Sequence, residues 1–388
     1  MLSRVYLDNF KSLIDFSFPP QKDLQGIPAF SCLVGLNGCG KSTILQAFDF
    51  LAQLPQGRID SWLETRGWKH EELTSKFTKK TTITFSISLL HQGKSVVWSG
   101  TYNKQTIRCT QEKVTEDGKT IFLVQDGKLN IVSPTEISTL PVKDLLYQGS
   151  ILSVYKFDVR KVPAIGAILD FSQGMKSLEL LNPQLIKTRS RAAADVGIGG
   201  EKLTAFFHGL SPEQKKTILT QLQEFYPQVT SILSSSLRAG WKTITVSESF
   251  DTGNKNRLET ETTHLNDGML RILTIITQMQ TSHTCLLLDE IENGINPELV
   301  ERLMDYLVSS NKQVIVTTHS PMVLNYLDDQ VAKDGVFLVY RNAAGYTRCG
   351  RYFQSNRTKE KLRLLGPGEV FVDTTMQEVS SDLEHELT

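Results

Sequence analysis

The chain has 388 residues, 40% of them hydrophobic, enough apolar sequence for a substantial core and for two lobes. Its 42 Lys and Arg balance 42 Asp and Glu, so no overall charge draws it toward nucleic acid or an anionic membrane, and any basic surface has to be local. The five cysteines (Cys32, Cys39, Cys109, Cys285, Cys349) form no C-x-x-C pair, which argues against a disulfide framework or a zinc ribbon; no apolar run approaches the roughly 20 residues that span a bilayer, so no membrane association and a cytoplasmic location are expected.

In chain order, residues 2–10 alternate as a strand does, and residues 30–34 form a short apolar run that ends at a glycine-rich turn. A helix should follow, because Ile44, Leu45, Phe48 and Leu51 recur at helical spacing and Pro55 with Gly57 ends the element. From about residue 80 to about 132 the period changes to two, most clearly over residues 82–89, with Asp117-Gly118 and Asp126-Gly127 as hairpin turns. That stretch predicts an antiparallel β subdomain. Residues 160–240 read as a mainly helical insertion, punctuated by Pro183, Gly197, Gly199-Gly200 and Pro212. From Trp241 strands and helices alternate again. Residues 284–288 and 313–318 are continuous apolar or β-branched runs suited to buried parallel strands joined by a right-handed crossover helix. The expected fold is therefore α/β with a mixed sheet. Its parts are an N-terminal lobe (1–159), the insertion (160–240) and a C-terminal lobe (241–388). The absence of repeats and of sustained heptads predicts a compact molecule.

Two motifs carry chemistry. Gly35-Leu-Asn-Gly-Cys-Gly-Lys41-Ser42 fits G-x-x-x-x-G-K-[ST] between an apolar strand and an amphipathic helix, the setting that a phosphate-binding loop needs. Asn37, Gly38, Cys39 and Gly40 would wrap an anion in backbone N–H groups, continued by the helix start at Ser42 and Thr43. Lys41 would reach the β and γ phosphates of ATP, and the Ser42 hydroxyl would help hold Mg²⁺. The second motif, Leu286-Leu-Leu-Asp289-Glu290, is an apolar strand ending in two carboxylates. Alone, such a pair is commonly a solvated turn. Downstream of a phosphate loop it reads as Asp289 supporting the magnesium shell and Glu290 orienting and deprotonating the attacking water.

With these pieces, the sequence resembles the RecF and SMC-like branch of the ABC ATPases, which includes OLD-like and abortive-infection ATPases of bacteria. The resemblance implies an ABC-type P-loop NTPase head. The opening Leu7-Asp-Asn-Phe-Lys11-Ser12 looks like the N-terminal strand and turn of these proteins and places Lys11 near the nucleotide. Gln148-Gly149-Ser150 looks like the Q-loop, making Gln148 a contact to metal or water. His264-Leu-Asn266-Asp267-Gly268-Met-Leu-Arg271 looks like the ABC signature, with Asn266 where the family usually has serine. An asparagine amide still donates a hydrogen bond, so the contact to phosphate can survive with altered geometry. Read without the resemblance, Asn266 or Asp267 simply caps a helix. Glu292-Asn293-Gly294-Ile-Asn296-Pro297 resembles the D-loop, and His319 matches the switch histidine that senses γ-phosphate.

In this architecture the signature of one head faces the nucleotide of another, so the resemblance implies a homodimer with composite ATP sites, or a higher oligomer. Two function classes follow. One is a DNA-directed ATPase in DNA surveillance or anti-phage defence. The other is a regulatory scaffold that holds or releases a separate effector such as a nuclease or toxin. A P-loop kinase would leave the signature, D-loop and histidine unexplained. Seven basic residues between Arg341 and Arg363 against Glu360 alone suggest a DNA-contacting strip, although such runs are usually solvated faces. Residues 369–388 carry acids and neither Lys nor Arg, which suggests a flexible acidic tail, a DNA mimic or a docking peptide for a basic partner.

Overall fold

Strand Phe30–Val34 is buried at all five positions, as a strand covered on both faces must be. In the computed structural model, which describes residues 1–132, 137–250 and 256–387, this strand lies inside a six-stranded sheet. The sheet order is Met175–Leu178, Cys285–Leu288, Gln313–Thr317, Phe30–Val34, Val336–Arg341, Thr347–Arg351. The first five strands run parallel and the sixth antiparallel. Because side chains alternate along a strand, each face has its own set. Leu33, Leu287, Ile315 and Phe337 join the core that holds Ile44, Leu45 and Phe48 of helix Lys41–Gln53. Cys32, Val34, Leu286, Leu288, Val314 and Val316 join the core around Met269, Leu270 and Leu273 of helix Asp267–Met279. Two helices thus cover opposite faces of one sheet, and the crossover helix Pro297–Val308 links the two parallel runs read from sequence.

The second sheet is antiparallel and eight-stranded, ordered Phe16–Phe18, Leu2–Asp8, Thr82–His91, Lys94–Asn103, Arg108–Glu116, Lys119–Gln125, Lys128–Val132, Ile137–Pro141. Its tight turns are the expected ones. Asp117 and Gly118 have φ of 46° and 78°, Asp126 and Gly127 of 52° and 72°, the left-handed pair that a two-residue hairpin needs.

Residues 160–240 carry more sheet than their sequence suggests. Alongside helices such as Pro163–Gly174 and Pro212–Phe225, Met175–Leu178 forms the edge of the central sheet. Val229–Ser236 pairs with Lys242–Phe250 in a separate three-stranded sheet. The acidic C-terminal stretch is not a flexible tail. It folds into helices Pro367–Val372 and Met376–Leu387, with Val370, Phe371, Val379 and Leu383 buried; Thr388 lies outside the described residues. These helices also break up the basic run. Arg357 pairs with Glu378 and Asp382 (3.3 Å each) and Lys361 with Asp373 (2.9 Å). Arg351 points inward to Asp23, only 3% exposed.

One buried acid links the antiparallel sheet to the following loop. Glu112 accepts hydrogen bonds from Trp98 Nε1, Ser150 Oγ and the Ile151 N–H, yet burial pushes its carboxyl up to about 7. The folded value lies above the ordinary 4.5, so this group's contribution to stability is complete below about 4.5 and is lost as pH rises through about 7. The thermal midpoint should therefore fall between about pH 5 and about pH 8, by a contribution of at most about 3 kcal/mol. Melts of Glu112→Gln, followed by circular dichroism, should lose most of that slope; an unchanged slope would assign it to other groups.

Candidate nucleotide site

All five parallel strands end on the same side of the sheet, the place where open α/β sheets bind ligands. Val34 leads into the glycine loop, Leu288 into Asp289-Glu290, Thr317 into Thr318-His319, and Leu178 into Glu179. Loop geometry demands glycine at two points. Gly35 (φ 149°) and Gly40 (φ 115°) would drive a Cβ to 2.1 Å from the Val339 carbonyl and 2.3 Å from Thr347 Oγ1, respectively. Helix Lys41–Gln53 starts at Gly40 with no side-chain cap and no acid in its first turn, so its first N–H groups stay available to an anion. Ser42 and Thr43 occupy that first turn, and Asn37 and Gly38 are exposed on the loop while Cys39 is buried beneath it.

Lys41 folds back over the loop. Its Nζ donates to the carbonyls of Gly35 (2.8 Å) and Leu36 (3.2 Å) and lies 3.2 Å from His319 Nδ1. Burial pushes its pKa down, while Cys39, Asp289, Glu290 and Glu292 pull it up. Ser42 Oγ donates to Asp289 Oδ1 at 3.1 Å, and Thr317 Oγ1 donates to the same oxygen at 2.6 Å. Glu290 adopts φ 48°, a left-handed conformation that costs a non-glycine residue about 1–3 kcal/mol. Its N–H donates to Thr317 Oγ1 (2.8 Å), Asn293 Nδ2 donates to its Oε2 (3.2 Å), and its Oε1 lies 3.4 Å from His319 Nε2. The His319 N–H in turn donates to Glu292 Oε1 (2.8 Å). Lys41, Ser42, Asp289, Glu290 and His319, far apart in sequence, thus form one connected cluster.

Lys11 lies along helix Lys41–Gln53. In a left-handed turn (φ 47°), its Nζ donates to Gln46 Oε1 at 2.9 Å, one helical turn past Thr43, and sits over the Trp68 ring. Burial, reinforced by Arg66, pushes its ammonium down to about 8.

Gln148 is not brought to this cluster. Its side chain exchanges hydrogen bonds with Asp60, and the next residues reach the far end of the P-loop helix, where the Ser150 N–H donates to the Leu54 carbonyl (2.8 Å). Thirteen residues of helix at about 1.5 Å per residue put roughly 20 Å between the two ends. The strand end beside the acidic pair belongs to Glu179 instead, since the Asp289 N–H donates to the Leu178 carbonyl at 3.1 Å. Buried Arg66 bridges Glu179 and Asp49 of the P-loop helix. Sequence reasoning missed Glu179 because the strand that leads into it, Met175-Lys-Ser-Leu178, is short, half polar and carries no strand period.

The signature segment lies on the opposite face. Asn266 caps helix Asp267–Met279, accepting the Met269 N–H at 2.8 Å, and Asp267 pairs with Lys187 at 2.8 Å. A Cβ on Gly268 would come within 3.2 Å of the Gly294 carbonyl, so signature and D-loop touch within the chain. Arg271 runs beneath them, donating to the Leu181 carbonyl at 3.3 Å. Asn296, in the D-loop's histidine position, caps helix Pro297–Val308.

Comparison with known proteins bears on the fold and the domain type. Residues 1–150 match the family described as "AAA ATPase domain", and residues 166–325 match "AAA domain, putative AbiEii toxin, Type IV TA system". No curated protein matches the chain. Among solved structures, an SMC head bound to the C-winged helix domain of ScpA aligns with TM-score 0.54 and 15% identity, covering 90% of this chain and 96% of that one. An SMC head domain with an extended coiled coil, bound to the C-terminal domain of ScpA and derived from Pyrococcus furiosus, aligns with TM-score 0.52 and 12% identity over 93% and 99%. At such identities the structural likeness speaks for the fold, and the two ATPase families flank its join. The chain has the fold of SMC head domains, and residues 1–150 and 166–325 each match an AAA-domain family.

Proposed function

We propose that this protein binds ATP with Mg²⁺ and hydrolyses it at composite sites formed head to tail by two copies. The observation that carries the reading is the connected cluster of Lys41, Ser42, Asp289, Glu290 and His319 at the carboxyl edge of the sheet. The residues fit the ligand: an uncapped helix start and two obligatory glycines form an anion cradle, and the Ser42 and Asp289 oxygens are already 3.1 Å apart. Ser42 and Asp289 would hold the metal, while Gln148, at the far end of the helix, would not reach it. Magnesium, when bound, neutralises charge on the β and γ phosphates. Loop N–H groups and Lys41 bind and orient the triphosphate, Glu290 takes a proton from water, and His319 joins that carboxylate to the γ-phosphate side of Lys41. Asn266, Asp267 and Gly268 serve the site of the other copy. If two copies build each site, turnover per copy should climb with protein concentration toward a plateau. Turnover independent of concentration across the monomer–dimer range would overturn the composite site.

A second reading concerns what the ATPase controls. The match of residues 166–325 to a family described through a toxin system, and SMC heads seen bound to ScpA, favour a scaffold whose nucleotide state holds or releases an effector such as a nuclease or toxin. Direct action on DNA in surveillance or anti-phage defence has weaker support, because Arg351, Arg357 and Lys361 of the basic run are paired within the chain. Turnover stimulated by duplex DNA would favour the DNA-directed reading; release of a defined effector upon hydrolysis would favour the scaffold.

A further inference from the structure

The tip of the signature helix carries a charge problem. Asn266 spends its side-chain oxygen capping the helix, and the first helical residue is Asp267, whose side chain is 45% exposed. A carboxylate there suits its own helix dipole but repels a triphosphate. Lys187 answers it, with Nζ 2.8 Å from Asp267 Oδ1 and a side chain still 20% exposed. It stands at the end of the short helix Pro183–Ile186, which is fixed to the signature helix: Arg271 donates to the Leu181 carbonyl, and Ile186 is buried in the signature helix's core. Leu181 and Leu185 flank this tip, each 42% exposed, and the glycine loop presents Leu36, 67% exposed. Both surfaces proposed to meet therefore carry uncovered apolar side chains.

We infer that Lys187 of one copy places its ammonium against the γ-phosphate held by the glycine loop of another. The inference rests on the head-to-tail reading and adds the cation it lacks. With Lys187 engaged, Asp267 changes from a repelling group into the acceptor that orients the ammonium, and the departure of phosphate returns Lys187 to Asp267 alone. No covalent bond involves the lysine; it stabilises charge.

The test uses Lys187→Ala and Lys187→Gln in the full chain, each also combined with Glu290→Gln and with Asp267→Asn. Turnover should fall on the order of 10²-fold, as for loss of one preorganised donor. ATP affinity of dilute single heads should be unchanged, and the Glu290→Gln background should need at least about tenfold more protein to dimerise with ATP, equal to about 1.4 kcal/mol. Asp267→Asn should not rescue Lys187→Ala. Parental turnover in both lysine variants, or full rescue by Asp267→Asn, would show a mere neutralising partner and overturn the inference. Failure of Glu290→Gln itself to dimerise with ATP would instead reject the composite site, and the inference with it.

Discussion

Glu290→Gln should keep ATP bound while losing turnover, on the order of 10²–10⁴-fold as for removal of a general base. The substitution keeps the side chain's size and its hydrogen bond with Asn293, and the backbone N–H to Thr317 is untouched. What disappears is basicity at the oxygen 3.4 Å from His319. If two copies share each site as proposed, hydrolysis would end their joint grip on the γ-phosphate, and the variant should accumulate as an ATP-dependent dimer, visible by light scattering. Turnover at the parental rate would remove Glu290 from the mechanism. The left-handed strain at position 290 belongs to the main chain and survives the exchange.

Lys41→Ala should act one step earlier, on binding itself. The ammonium now satisfies itself on two loop carbonyls, and a phosphate would replace those partners with charge-assisted bonds worth about 1.5–3 kcal/mol, so ATP affinity should fall roughly 10–150-fold. Folding should not suffer in proportion. Lys41 is 5% exposed and burial disfavours its charged form, so alanine removes a desolvated cation along with its hydrogen bonds. The distinguishing measurement pairs calorimetric ATP titration with a thermal melt of the free protein. Lost affinity with a melting midpoint within a few degrees of the parent is expected, whereas a collapsed midpoint would make Lys41 a structural residue.

Much of this arrangement is legible in the sequence. The glycine loop and the Asp289-Glu290 pair were legible because their chemistry fixes residue types in a strand-then-helix setting, and period two marked residues 82–89 as an antiparallel strand. Gln148 was misplaced because a three-residue loop match says nothing about which end of a 13-residue helix the loop will meet. The strand Met175–Leu178 stayed hidden because an edge position tolerates Lys176 and Ser177, which blur the apolar run of a buried strand. In the C-terminal stretch, Val370, Phe371, Val379 and Leu383 announced a core-facing side, but the surrounding acids dominated the reading. Those acids found their counter-charges in Arg357 and Lys361, a pairing that only the three-dimensional arrangement reveals.

Thr347 Oγ1 sits 2.8 Å from Ser12 Oγ, donates to the Cys39 carbonyl at 2.9 Å, and is the atom against which Gly40 is packed. The anion cradle is thereby clasped, through a single hydroxyl, to the six-stranded sheet and to the turn between the strands Leu2–Asp8 and Phe16–Phe18 of the other. Tilting one sheet against the other must distort the cradle, and filling the cradle must resist that tilt by the same free energy. A partner that merely leaned on either lobe would therefore tune the grip on nucleotide without approaching it.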